Sequence, residues 1–153
     1  MDPENYLESN FKDFIHLFNS KIKLKNNQSI HFELGRSIVG QCGFLISKIL
    51  YTKKSYNKNF IVLDSGMNNL IRPALYNSKH KISNISSRSN KIEAYDIVGP
   101  ICESTDTFAR DYEMVESKRG DLVVIYSCGA YAESMSSNYN LRDNIKSYYS
   151  DTI

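Results

Sequence analysis

Four short segments of this chain hold residue types that could do chemistry. Cys102-Glu103, inside Gly99-Pro100-Ile101-Cys102-Glu103-Ser104, sets a thiol beside a carboxylate where an apolar stretch runs into a loop. That pair suits a proton donor next to a group that recognises a cation. In Arg72-Pro73-Ala74-Leu75-Tyr76, a helical backbone would put Arg72 and Tyr76 on one face, four residues apart and within reach of one ligand. Gly35-Arg36 could hold an anion, because glycine admits a close backbone approach and arginine offers a planar fork. Gly129-Ala130-Tyr131 puts small residues before an aromatic ring, which lets the ring lie flat against a partner.

Each segment also has a plainer reading. Gly35-Arg36 fits a strand-end turn, Arg72 a surface cation beside a half-buried tyrosine, and Gly129-Ala130-Tyr131 a helix start. Cys102 fits a small buried hydrophobe, the role expected of Cys42 and Cys128. His16, His31 and His80 have no metal-like spacing to one another or to acids, so no metal is assigned.

The elements that must position these residues follow from periodicity. Phe11, Phe14, Ile15, Phe18 and Ile22 recur at helical steps and predict a helix. Asn26-Asn27 breaks it, and residues 29–33 read as a short strand. One helix and one strand cannot make a core, so this stretch reads as the last unit of an α/β domain whose earlier units are absent. From residue 44 the chain turns to strands, at 44–51, 60–64, 93–101, 112–115 and 121–127, with Gly120-Asp121 as a turn. Residues 70–76 and 106–111 read as short helical insertions, and 77–91 as a loop flanking a weak strand. Many closely spaced strands with few helices predict an antiparallel barrel or sandwich, and no internal repeat is visible.

Composition narrows the partners. With 41% hydrophobic residues, 24% charged and a net charge of +2 over 153 residues, the balance is that of a globular domain. Charge therefore implies neither a nucleic acid nor a membrane. The longest apolar stretch, around residues 43–50, is interrupted by Ser47 and Lys48 and cannot span a bilayer. The acidic N-terminus Met1-Asp2-Pro3-Glu4-Asn5 lacks an apolar run behind it, which argues against a secretory signal. Three cysteines without a CxxC pair point to a reducing cytoplasm rather than a disulfide framework.

Taken in order, these segments resemble the diaminopimelate decarboxylases. Glu33-Leu34-Gly35-Arg36-Ser37 resembles their Glu-Pro-Gly-Arg-Ser motif, and Asp64-Ser65-Gly66-Met67 followed by Arg72-Pro73-Ala74-Leu75-Tyr76 resembles Asp-Ala-Gly-Met and Arg-Pro-Ala-Leu-Tyr. Gly99-Pro100-Ile101-Cys102-Glu103-Ser104-Thr105-Asp106 is similar to Gly-Pro-x-Cys-Glu-Ser-x-Asp, and Gly129-Ala130-Tyr131 with Met135-Ser136-Ser137-Asn138-Tyr139-Asn140 to the closing motif. Leu34 departs from the usual proline, which leaves that turn less stiff.

The resemblance implies a fold-type III enzyme that uses pyridoxal 5'-phosphate. Residues 1–36 would be the remnant of its cofactor-binding (β/α)8 barrel and residues 37–153 its C-terminal antiparallel β-barrel domain, mainly β. The family's cofactor lysine, stacking histidine and Gly-rich phosphate loop are expected upstream of this chain, which would then be inactive alone.

By the same resemblance, Glu33, Gly35, Arg36 and Tyr131 lie at the cofactor. Arg36, Arg72, Tyr76, Glu103 and Tyr131 contact the small amino-acid substrate, and Cys102 is the catalytic proton donor. Arg72 and Glu103 would grip the distal carboxylate and ammonium of diaminopimelate, a clamp wasted on ornithine. The Cys-Glu pair serves the neighbouring subunit's site in this family, which implies a homodimer. Two other readings stay open: a related decarboxylase of another basic amino acid or polyamine precursor, and a non-catalytic fragment from a disrupted gene or internal start.

Overall fold

A computed structural model describes residues 11–152, so the acidic residues at positions 1–5 lie outside the described residues. The first element is α1 (Phe11–Lys21), as the periodicity predicts. Its apolar face is not covered: Phe14 and Leu17 are 55% and 57% exposed, and α1 has no buried residue. A helix of this length is marginal without such cover. Residues 29–33 are not a strand; they are exposed, and among the described residues no neighbouring strand pairs with them.

After the single turn of α2 (Arg36–Val39), the barrel begins. Its strands are β1 (Leu45–Lys54), β2 (Asn59–Leu63), β3 (Ile82–Asn84), β4 (Ile92–Val98), β5 (Thr107–Val115) and β6 (Leu122–Ile125), with α3 (Arg72–Tyr76) between β2 and β3. The order in the sheet is β3-β6-β1-β2-β4-β5. In β1 the two-residue period turns Leu45, Ser47 and Ile49 inward, and Ile61, Leu63, Ile97, Val123 and Ile125 meet Ile49 in a core with no solvent exposure.

Pairing is antiparallel except between β2 and β4, which run parallel with Ile61 opposite Ile97. A parallel pair needs a long crossover, and the stretch holding α3 and β3 supplies it. The sheet ends, β3 and β5, share no strand ladder. Instead the Tyr112 hydroxyl accepts the Ile82 N–H (2.8 Å) and donates to the Ile82 carbonyl (3.0 Å), so one side chain nearly closes the barrel.

Residues 107–111 are strand, not the helical insertion expected from residues 106–111. Pairing with β4 overrides local propensity. The irregularity that obscured the strand is a bulge, where Tyr95 faces Tyr112 and Ile97 faces Ala109. Asp111 sits there with φ 48° and donates its N–H to the buried Asp96 carboxylate (2.9 Å). Cys128 is buried as expected, its thiol pushed up to about 11 by burial. Cys42 is not: it is exposed and donates to the Val39 carbonyl (3.0 Å).

Candidate active site

The turn after β6 gathers the first group. Arg36 donates from Nη2 to the Ala130 carbonyl (2.7 Å) and from Nη1 to the Ser127 carbonyl (3.2 Å). Those carbonyls face it because Ser127 (φ 60°) and Tyr131 (φ 66°) are left-handed, at a cost on the order of 1–3 kcal/mol each. The Arg36 guanidinium lies 5.7 Å from the Tyr131 ring centre, a cation–π arrangement. Gly35 approaches from the other side; a Cβ added there would stand 3.9 Å from the Tyr131 hydroxyl.

Arg72 and His80 complete this group. Arg72 lies 5.1 Å from the Tyr76 ring centre, so the four-residue spacing on α3 does bring the two together. Burial, with Arg72 as the next cause, holds Arg36 below its ordinary pKa. His80 is buried and donates from Nδ1 to the Tyr126 carbonyl (2.8 Å). Its pKa is lowered chiefly by burial, against that hydrogen bond, with Arg36 and Arg72 adding to the lowering. Among the described residues neither arginine has a carboxylate partner. Two guanidiniums that feel one another's charge without a carboxylate partner attract an anion, and exposed Tyr131 offers a ring beside Arg36. A phosphate or carboxylate on an aromatic cofactor fits this set. Glu33 stays exposed and no hydrogen bond draws it in.

The second group is the tip of the loop between β4 and β5. Cys102 and Glu103 are both exposed there. Glu103 Oε1 accepts the Ser104 N–H (2.9 Å) and hydroxyl (3.2 Å), which leaves Oε2 open to an outside donor. Beside it is a cleft of about 260 Å³ lined by Met67, Asn68, Ile71, Glu103, Thr105, Ser137 and Tyr139. Asn68, 2% exposed, gives its side-chain amide no partner. A larger cleft of about 350 Å³ at the β1–β2 turn, lined by Lys58 and Asp96 among others, touches none of the candidate residues.

The structure therefore sets Arg36 against Tyr131 and Arg72 against Tyr76, with the charge of Arg72 felt at Arg36, and no hydrogen bond or ion pair joins any of these four to Cys102 or Glu103. His80 and Asp106 escaped the sequence reading as site residues. His80 carried no local signal; Asp106 closed a quoted motif but was read as the start of a helix.

No helix among the described residues is long and apolar enough to cross a membrane. The sequence model for the C-terminal sheet domain of pyridoxal-dependent decarboxylases matches residues 10–129. The chain is 49% identical to the diaminopimelate decarboxylase of Bacteroides thetaiotaomicron over 151 residues, 99% of this chain and 39% of that one. It therefore spans well under half the length of that relative. Among solved structures, diaminopimelate decarboxylase of Helicobacter pylori complexed with L-lysine matches with a TM-score of 0.65 at 49% identity, over 71% of this chain and 26% of that one. The M. jannaschii diaminopimelate decarboxylase with L-lysine matches with a TM-score of 0.72 at 34% identity, over 87% and 30% of the two chains.

Proposed function

The chain belongs to the pyridoxal-dependent decarboxylases, whose C-terminal sheet domain it contains, and from that premise we propose that it serves an enzyme that decarboxylates meso-2,6-diaminopimelate to L-lysine in lysine biosynthesis. The observation that carries this reading is two arginines, Arg36 against the Tyr131 ring and Arg72 against the Tyr76 ring, each without a carboxylate partner among the described residues, with the charge of Arg72 felt at Arg36. A substrate with an amino acid at each end supplies the missing carboxylate. Its distal ammonium suits the open Oε2 of Glu103.

In this reading Gly35, Arg36 and Tyr131 border pyridoxal 5'-phosphate, with Glu33 on the same approach. The cofactor, when bound, supplies the electron sink that decarboxylation needs. This chain's own work is to orient and to protonate. Arg72 and Tyr76 hold the non-reacting end, Glu103 pairs with its ammonium, and Cys102 Sγ delivers the proton that takes the place of carbon dioxide. In the same reading Cys102 and Glu103, exposed at their loop tip, serve the neighbouring subunit of a homodimer. The domain division after Arg36 belongs to the same reading: α1 offers an uncovered apolar face, as a helix of a larger first domain would. A reducing cytoplasm suits the three free thiols.

The test joins this chain to the rest of the Bacteroides thetaiotaomicron relative and measures decarboxylation of diaminopimelate, ornithine and arginine. Preference for diaminopimelate is expected; preference for either other substrate would overturn the assignment. Mixing Cys102→Ala subunits with subunits lacking the cofactor lysine should restore part of the activity, since one site of each mixed dimer is then intact. No recovery would mean that Cys102 serves its own subunit.

A further inference from the structure

Asp106 stands at the foot of the loop that carries Cys102 and Glu103, and all of its polar groups are engaged. Its N–H donates to the Glu103 carbonyl (3.1 Å), and its carbonyl accepts the Gly99 N–H (3.0 Å). Its carboxylate accepts the Ile101 N–H at Oδ2 and the Met67 N–H at Oδ1, both at 2.7 Å. One side chain thus binds two loops that are far apart in sequence: its own, and the turn at residues 65–70 whose Met67 and Asn68 wall the cleft beside Glu103.

The surroundings are shaped to this carboxylate. A Cβ on Gly99 would fall 2.3 Å from Oδ2, and one on Gly66 would fall 3.1 Å from the same oxygen and 2.8 Å from Ile101. Glycine at both positions lets two backbones close around one charge. The Thr105 hydroxyl adds a weaker link to Met67 Sδ (3.7 Å). Asp106 is only 4% exposed, and burial pushes its carboxyl above the usual range despite the two N–H bonds and the facing Arg142. A buried charge is costly to keep, and a neutral side chain of the same shape would pack there. What the carboxylate adds is two anionic acceptors at one point, the strong kind of hydrogen bond that fixes geometry.

We propose that Asp106 is the positioning residue of the Cys102–Glu103 loop, locking it to the turn at Met67 so that thiol and carboxylate are presented at a set distance from the cleft. The role assigned to that loop rests on the functional reading above; the lock itself does not.

Amide hydrogen exchange on this chain tests the lock. In Asp106→Asn, Ile101, Met67 or both should lose protection by about tenfold or more, since one N–H must now face an amide donor. Ile61 and Ile97 in the barrel core should keep theirs. Native protection at both loop amides would overturn the proposal. If the variant does not fold, the wild-type chain answers alone. The Asp106 carboxyl carbon should titrate above the usual aspartate range, and the Met67 and Ile101 amide protons should shift with the same midpoint. Different midpoints would refute the lock.

In the enzyme assembled with the rest of the relative, Asp106→Asn should raise KM through Glu103 and lower kcat through Cys102, by about tenfold to a hundredfold in kcat. The cofactor's absorbance should not change. A role that is only structural would reduce the active fraction and leave KM alone, which would also refute the proposal. Failure of the functional reading is separate: Cys102→Ala would then stay active, whatever the exchange at Ile101 and Met67.

Discussion

Arg36 reaches across 91 and 94 residues of sequence to its two carbonyls, whereas Glu103 bonds to its immediate neighbour Ser104. Arg36 is held from several directions: it opens α2, donates to two carbonyls of the turn after β6 and lies against the ring of Tyr131. The thiol–carboxylate group sits on an exposed tip and takes its order from Asp106 at the base. A cluster pinned over long separations is preorganised to receive an anion. An exposed tip fixed at its base by Asp106 is presented outward from the barrel. On the proposed function, the difference becomes a division of labour, in which one group receives the ligand and the other is delivered to it.

Four measurements would break or sharpen that contrast, all enzymatic ones on the assembled enzyme. The largest effect is expected at the tip. Cys102→Ala should lower turnover about 10²–10⁴-fold with folding unchanged, because the residue is exposed. Cys42→Ala, at an exposed thiol of no assigned role, should keep full activity. Equal behaviour of the two variants would erase the tip's function. Next come the charged grips. Arg72→Ala and Glu103→Ala should each cost about 2–5 kcal/mol in kcat/KM for diaminopimelate, roughly 30-fold to several-thousand-fold. Cofactor affinity should stay close to native, and a matching loss of it would merge the two groups into one.

The third measurement loads the long-range pins. At Gly129 an added Cβ would fall 2.0 Å from the Val39 carbonyl oxygen, where the chain after α2 crosses the β6 turn. Gly129→Ala should therefore destabilise the domain by about 1–3 kcal/mol, several degrees in Tm, measurable by thermal denaturation. No shift would show that the crossing is loose and the arginine group less fixed than described.

The smallest effect is on the barrel wall, far from both groups. The Lys91 ammonium, then the Tyr95 hydroxyl and Lys54, hold Glu93 down at about 2, below its usual 4.5. A depressed carboxylate adds stability that is complete above the unfolded value and lost as pH falls from about 4.5 toward 2. Tm should decline over that window, and less steeply in Glu93→Gln. The same slope in both would place the acid sensitivity elsewhere.

Much of this architecture was legible in residue order alone. The β-branched and aromatic run at 44–51 between polar ends announces β1, and the helical steps from Phe11 to Ile22 announce α1, because such signals are short and local. The candidate segments, too, are contiguous, so Arg72 with Tyr76 and Cys102 with Glu103 could be named from spacing. Local pattern misled where pairing outweighed it. A bulge at Asp111 disguised the start of β5, and residues 29–33 had strand-like composition but no neighbour.

What only the tertiary structure decided are the relations that have no period. They include the parallel β2–β4 pair, the Tyr112 hydroxyl bridging Ile82, the grip of Arg36 on the turn after β6, and the Asp106 carboxylate joining two loops. Each depends on which distant backbone group arrives within about 3 Å once the core has closed. Hydrogen-bond partners chosen at that range are set by the packing of the whole barrel, and a local stretch of sequence carries no record of them.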